Sequence, residues 1–240
     1  MCTVTYVRSG TRTIITSNRD EHVVRSSSGP QQTSINNKSI LFPKDPKSGG
    51  TWFAADQMGN VIVLLNGGAE KHKHLPPYRK SRGLIVLDIV SGNSPVDVWT
   101  TIDLNDIEPF TIVLLQKSKL YQLQWDGTIK HATQLNEKEN YIWSSSTLYP
   151  AIIRKERQQW FQNFLNAKPD VSDRDMLHFH RYTEGGNNEN GLVINRNEVL
   201  KTLSITQTVI DENHLTMIHL DLLNNRESTT SFDIGKTVMP

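Results

Sequence analysis

From Thr3 to Val7, β-branched and aromatic residues alternate with smaller polar ones; Ser9 and Gly10 supply a turn, and Thr11 to Thr16 again favours extended backbone. This period of two predicts a β-hairpin. Asn18 to Glu21 is then expected at or just past the end of its second strand, folded back beside the start of the chain. Ser26 to Lys47 is rich in Ser, Gly, Asn, Gln and Pro, with one apolar break at Ile40 to Phe42, and predicts a long loop able to act as a lid. A second hairpin follows, with Thr51 to Ala55 and Val61 to Leu65 joined by a turn at Met58, Gly59 and Asn60. The run VIVLL is apolar enough for a strand buried on both faces, and Asn66, Gly67 and Gly68 end it.

Helical spacing begins at Arg79 to Val90, where Leu84, Ile85, Leu87 and Ile89 predict a buried helix. Pro95 to Ile102 suits a shorter one with proline in its first turn. Phe110 to Gln116 and Lys119 to Trp125 form a third strand pair. Ala151 to Ala167 is the clearest amphipathic helix, with Ile152, Ile153, Trp160, Phe161 and Phe164 inward and its basic residues outward. A short helix at Ser172 to Phe179, a Gly/Asn-rich loop at Gly185 to Gly191, and strands near Leu200 to Ile210, Leu215 to Leu222 and Glu227 to Asp233 complete the chain. Blocks of strands and helices in this order predict an α+β fold with antiparallel sheets, not a doubly wound parallel one. With 240 residues and no internal repeat, residues 1–240 are expected to form a single domain.

Composition narrows the chemistry. Lys and Arg total 26 against 25 Asp and Glu, a formal net charge of +1, so nothing in the charge points to nucleic acid or an anionic membrane. One cysteine excludes an intrachain disulfide framework and a Cys-based zinc cluster. No window approaches the roughly 20 apolar residues of a membrane span, and MCTVTYVRSGTRT lacks an apolar signal core; a cytoplasmic location is expected. His72 and His74 in KHKH, and His178 and His180 in HFH, lack the further ligand of a metal site and are expected in solvated basic segments. Neither a Walker nor a dinucleotide glycine fingerprint occurs, and Ser144 to Ser146 has no G-x-S-x-G elbow; no cofactor and no metal are expected.

The single thiol is at position 2. If Met1 is removed, Cys2 carries a nucleophile and an α-amine on one residue, and an amine with a pKa near 8 can act as a general base close to neutral pH. Such a site needs a cation to favour thiolate, a carboxylate to hold the amine and a donor for the oxyanion; Arg19, Asp20 and Asn66 supply those types. By residue type alone, Arg19 and Asp20 also fit a structural ion pair after a strand.

MCT at the start, SNRDE at Ser17 to Glu21, GGTW at Gly49 to Trp52, the apolar strand ending at Asn66, and SRG at Ser81 to Gly83 resemble, in order and spacing, the NRDE or transport and Golgi organisation protein 2 family. Beyond Gly83 the resemblance is looser, although WSSSTLY at Trp143 to Tyr149 looks like the family's next element. The family is similar to N-terminal nucleophile hydrolases, which implies a four-layer αββα sandwich and an amidase-like site. The choloylglycine hydrolase and penicillin acylase group places an N-terminal Cys, then an Arg and Asp, then an Asn in positions matching Cys2, Arg19, Asp20 and Asn66. Asn18, Glu21, Trp52, Arg82 and Ser145 are the candidate substrate contacts.

Two departures stand out. Ser145 occupies the place of a second Asn, and a serine hydroxyl reaches less far than an amide. A late Arg of that group has no clear equivalent among Arg196, Lys201 and Arg226. The resemblance therefore implies a cysteine amidohydrolase acting on an unidentified small molecule, with a lipid- or haem-binding trafficking protein on the same fold as the alternative.

Overall fold

A computed structural model of the chain describes residues 3–235. The first hairpin forms as expected, from β1 (Thr3–Ser9) and β2 (Arg12–His22). The second strand runs further than its composition suggests, because β2 is hydrogen-bonded on both sides and Asn18 to Glu21 pair with neighbours instead of ending the ladder. The expected long loop is instead a hairpin, β3 (Ser28–Ile35) and β4 (Lys38–Lys44). Its two-residue turn has Asn36 and Asn37 at φ of 51° and 62°, the left-handed pair that suits the twist of a tight hairpin. The polar run is tolerated because β3 is an edge strand with mostly exposed positions.

β5 (Phe53–Asp56) and β6 (Val61–Asn66) make the second hairpin, followed by α1 (Arg82–Val90) and α2 (Pro95–Thr101). β7 (Phe110–Gln116) and β8 (Lys119–Trp125) pair as predicted; β9 (Lys130–Leu135) and the short β10 (Tyr141–Ser144) add two edge strands. After α3 (Ala151–Ala167) and α4 (Asp173–Tyr182) come β11 (Asn195–Arg196), β12 (Leu200–Asp211), β13 (His214–Asp221) and β14 (Arg226–Asp233).

Both sheets are antiparallel. One runs β10-β1-β2-β12-β13-β14 with β11 beside β12, and the other runs β3 to β9 in sequence order. Strand alternation sends Val4, Tyr6, Ile15, Leu215 and Met217 into the core shared with the second sheet. The opposite face, with Val7 and Ile14, packs on Phe161, Met176 and Phe179 of α3 and α4. α1 and α2 bury Ile85, Val86, Ile89 and Trp99 against the second sheet. The result is the expected α+β sandwich, two sheets between two helical layers.

α3 departs from its predicted face at one end. Ile152 is 67% exposed, whereas Arg157 is fully buried. Five residues separate them, about 140° around a helix of 3.6 residues per turn, so burying the Arg157 face turns Ile152 to solvent. α4 opens with a capping box in which Ser172 and Asp175 satisfy each other's backbone N–H.

Candidate active site

The SNRDE segment lies inside β2, and its alternation decides what each residue can reach. Asn18 and Asp20 face the helical layer; Arg19 and Glu21 face the other way and line a cavity of about 360 Å³. Opposite the pair, β12 shifts register between Thr202 and Ser204, a bulge that leaves Thr202 beside Asp20 and Ser204 beside Arg19. Arg19 and Asp20 therefore do not form the ion pair that their adjacency allows.

Arg19 is buried and paired. Its Nη1 donates to the Arg25 carbonyl at 2.7 Å, its Nη2 to Asp45 Oδ2 at 3.1 Å, and its guanidinium lies 4.5 Å from the centre of the Trp52 ring. Burial pushes its pKa down, opposed by Glu21 and Asp45. Arg25 shares the same Asp45 oxygen and bridges to Glu21 at 3.1 Å. Across the cavity, Arg82 pairs with Glu108 at 3.0 Å, and His72 and His74 contact the other oxygen of that carboxylate.

The glycines of GGTW and SRG are steric partners. A Cβ on Gly50 would sit 2.4 Å from the backbone carbon of Gly83, and Thr51 N donates to the Gly83 carbonyl. This contact fixes the loop bearing Trp52 against the start of α1, which bears Arg82.

On the helical face, Asp20 is buried: Tyr149 Oη donates to one oxygen at 2.7 Å and Thr202 Oγ1 to the other at 2.6 Å. The Arg157 guanidinium stacks 3.5 Å from the centre of the Tyr149 ring and donates to Thr3 Oγ1 and to the Asn190 and Gly191 carbonyls. Asn18 is fully buried and is not among the residues that line the Arg19 cavity; its amide donates to the carbonyls of His180 and Leu192. That leaves Asn18 Oδ1 to accept from His180 Nδ1, so Thr5 Oγ1 donates to His180 Nε2 at 2.8 Å and the ring is a neutral Nδ1–H tautomer. Burial, helped by Arg157, lowers its pKa to about 3. His180 is thus a buried hydrogen-bonding residue, not the solvated one expected from HFH.

Asn66, at the end of β6, lines the Arg19 cavity and also a second cavity of about 280 Å³ bounded by Gly67, Trp143 and Ser145. Ser145 faces only the second of these; its Oγ donates to the Asn66 carbonyl at 2.8 Å. Gly67, at φ 86°, fits directly against Ser146, whose Oγ lies 2.3 Å from where a Cβ would stand. Of the predicted residues, Arg19, Glu21, Trp52, Asn66 and Arg82 share one cavity, while Asn18 and Asp20 face the helical layer and Ser145 lines the second cavity. Cys2 is outside the described residues. Among the described residues no group of three or more His, Cys, Asp or Glu could hold a metal ion.

Sequence reasoning missed Arg25, Asp45, Glu108 and Arg157. Glu21 and Arg25 meet only because the chain turns after His22, where the Arg25 N–H donates to the His22 carbonyl. Asp45 in KDPKS carries a local turn signal, its Oδ1 accepting from the backbone of Lys47 and Ser48, but no signal for its contact with Arg19.

Among solved structures, the chain resembles a Caenorhabditis elegans ortholog of N-acylethanolamine-hydrolyzing acid amidase at 11% identity and TM-score 0.61, covering 88% of this chain and 92% of that one. It also resembles two variants of the conjugated bile acid hydrolase from Clostridium perfringens. One shows 8% identity and TM-score 0.58 over 97% and 98% of the two chains, the other 9% and 0.59 over 97% of each. These likenesses establish the N-terminal nucleophile hydrolase fold. No curated protein sequence matches the chain. The profile of the family described as Transport and Golgi organisation 2 matches residues 1–228, and the chain belongs to that family.

Proposed function

We propose that the protein is an N-terminal-nucleophile cysteine amidohydrolase that cleaves a small amide or acyl substrate through a thioester. The observation that carries this reading is the convergence of Arg19, Asn66 and Trp52 on one cavity, with Asp20 held rigidly by Tyr149 and Thr202 on the same strand as Arg19. Thr3, joined to Cys2 by a peptide bond, pairs with Asn18 of that strand and is gripped by Arg157.

With Met1 removed, the Cys2 amine takes the thiol proton as the sulfur adds to the substrate carbonyl. The Asn66 amide faces the resulting oxyanion, and Asp20 holds the ammonium. Collapse expels the amine product, which leaves with the ammonium proton, and forms the thioester. Water, deprotonated by the same amine, then releases the acid and regenerates the thiol. Arg19, already paired with Asp45, supplies positive potential. The named activities of the fold's solved relatives, an acid amidase and a conjugated bile acid hydrolase, support the reaction class.

The test is the intact mass of protein purified from cells, followed by turnover of short-chain acyl p-nitroanilides by the native chain and by Cys2→Ser. A mass lighter by one methionine and a loss of several orders of magnitude in a folded Cys2→Ser variant are expected. A retained Met1, or turnover indifferent to Cys2, overturns the proposal in favour of a non-catalytic binding protein for lipid or haem.

A further inference from the structure

The Arg19 cavity has a surplus of hydrogen-bond donors. Its three carboxylates are already served. Asp45 accepts from two arginines and two backbone N–H groups, Glu21 from Arg25 and the His22 N–H, and Glu108 meets Arg82, His72 and His74. The donors are not used up. Arg25 Nε, Trp52 Nε1 and Ser81 Oγ are buried without a partner among the described residues, and Trp52 is only 3% exposed. Arg82 uses two of its five N–H groups, on Glu108 and the Pro109 carbonyl.

The cavity also receives the N-terminus of α1 through Ser81, Arg82 and Gly83. Ser81 makes no capping bond there, and the first turn carries no acidic residue. The first N–H groups of a helix have no intrahelical acceptor and attract negative charge. Lys80 stands beside them, its ammonium also paired with Asp88. Apolar lining is confined to Trp52, Leu64 and the ring of Tyr78, too little to bury a long acyl chain.

We propose that this cavity, through Lys80, Ser81, Arg82 and Arg25, holds a subsite for a carboxylate carried by the substrate. This rests on the amidohydrolase reading and narrows it: the substrate is a short acyl amide bearing a second, anionic group, not a lipid amide. A carboxylate brings up to four acceptor lone pairs to donors that lack them, and Arg82 can receive it while keeping Glu108.

Binding is tested apart from catalysis. Calorimetric titration of the intact protein with glutarate should show saturable binding that weakens with added salt, weakens about tenfold or more in Lys80→Gln and Arg82→Gln, and is absent for neutral glutaramide. Equal affinity for glutarate and glutaramide, no saturable binding of glutarate to the native chain, or tighter binding of inorganic phosphate than of glutarate overturns the carboxylate assignment. Turnover separates the two readings. Glutaryl p-nitroanilide should exceed its neutral methyl ester about tenfold in kcat/KM. Equal rates remove the subsite and leave the hydrolase, whereas glutarate binding with no amide turnover removes the hydrolase and leaves the subsite.

Discussion

His180 makes the fold sensitive to acid in a way that can be worked out from its contacts. Its neutral ring satisfies both nitrogens, donating from Nδ1 to Asn18 and accepting at Nε2 from Thr5, and it has no exposed surface. Folding lowers its pKa from 6.5 to about 3, so the unfolded chain binds the proton first. A group with a depressed folded-state pKa, when the charged form is the acid form, loses stability as pH falls below the unfolded value. At pH 8 both states are neutral and nothing is lost. At pH 5 the unfolded ring is almost wholly charged and the folded ring still neutral, which gives a loss of about 2 kcal/mol, approaching about 5 kcal/mol below pH 3. The value at pH 5 is set by the unfolded pKa alone as long as the folded ring stays neutral there. The assay is urea unfolding at several pH values between 8 and 5 for the native chain and for His180→Gln. The variant starts less stable, because two buried hydrogen bonds change, but its decline over that range should be smaller by about 2 kcal/mol. Exposed carboxylates and histidines titrate alike in both proteins and cancel in the difference. Parallel declines would refute the neutral, buried assignment.

Tyr149→Phe keeps the ring beneath Arg157 but removes a hydroxyl donated to the buried Asp20 carboxylate. It should destabilise the fold by about 1.5–3 kcal/mol, read as a fall in Tm of roughly 3–12 °C, and a double-mutant cycle with Asp20→Asn should show the two effects to be coupled. Gly50→Ala drives a methyl into the Gly83 backbone and should cost about 1–3 kcal/mol or more in urea unfolding; a neutral result would mean that the two loops separate without penalty.

Strands with strong alternation, and helices with a clear apolar face, were legible because their burial follows directly from period. The β3–β4 hairpin was not, since Pro30, Gln31 and Gln32 sit on an exposed edge strand where nothing selects for apolar residues. The short β10 was missed for a related reason: its pairing with β1 is long-range and leaves no local pattern. Within the site, the residues that line the cavity from β2 and β6 were readable from their motifs. Asp45 was not, because it is brought to Arg19 only by the return of the β3–β4 hairpin. Arg157 was hidden by its charge. On an amphipathic helix a basic residue is expected outside, and the Thr3 hydroxyl and the carbonyls of Asn190 and Gly191, with the Tyr149 ring, make burial of this one tolerable.

The NRDE motif divides by strand geometry into two functions. Side chains alternate along β2, so Asn18 and Asp20 belong to a buried network with Tyr149, Thr202 and His180, while Arg19 and Glu21 belong to the cavity with Trp52, Asp45 and Arg82. A helix would have fanned these four residues about 100° apart, and a loop would not have fixed their directions. The strand lets one half of the motif be locked by buried hydrogen bonds while the other half faces a ligand-sized space. That division explains why adjacent opposite charges do not neutralise each other. Arg19 turns instead to Asp45 and the Trp52 ring, and Asp20 is held by two hydroxyl groups, so each has a defined place on its own side of the sheet.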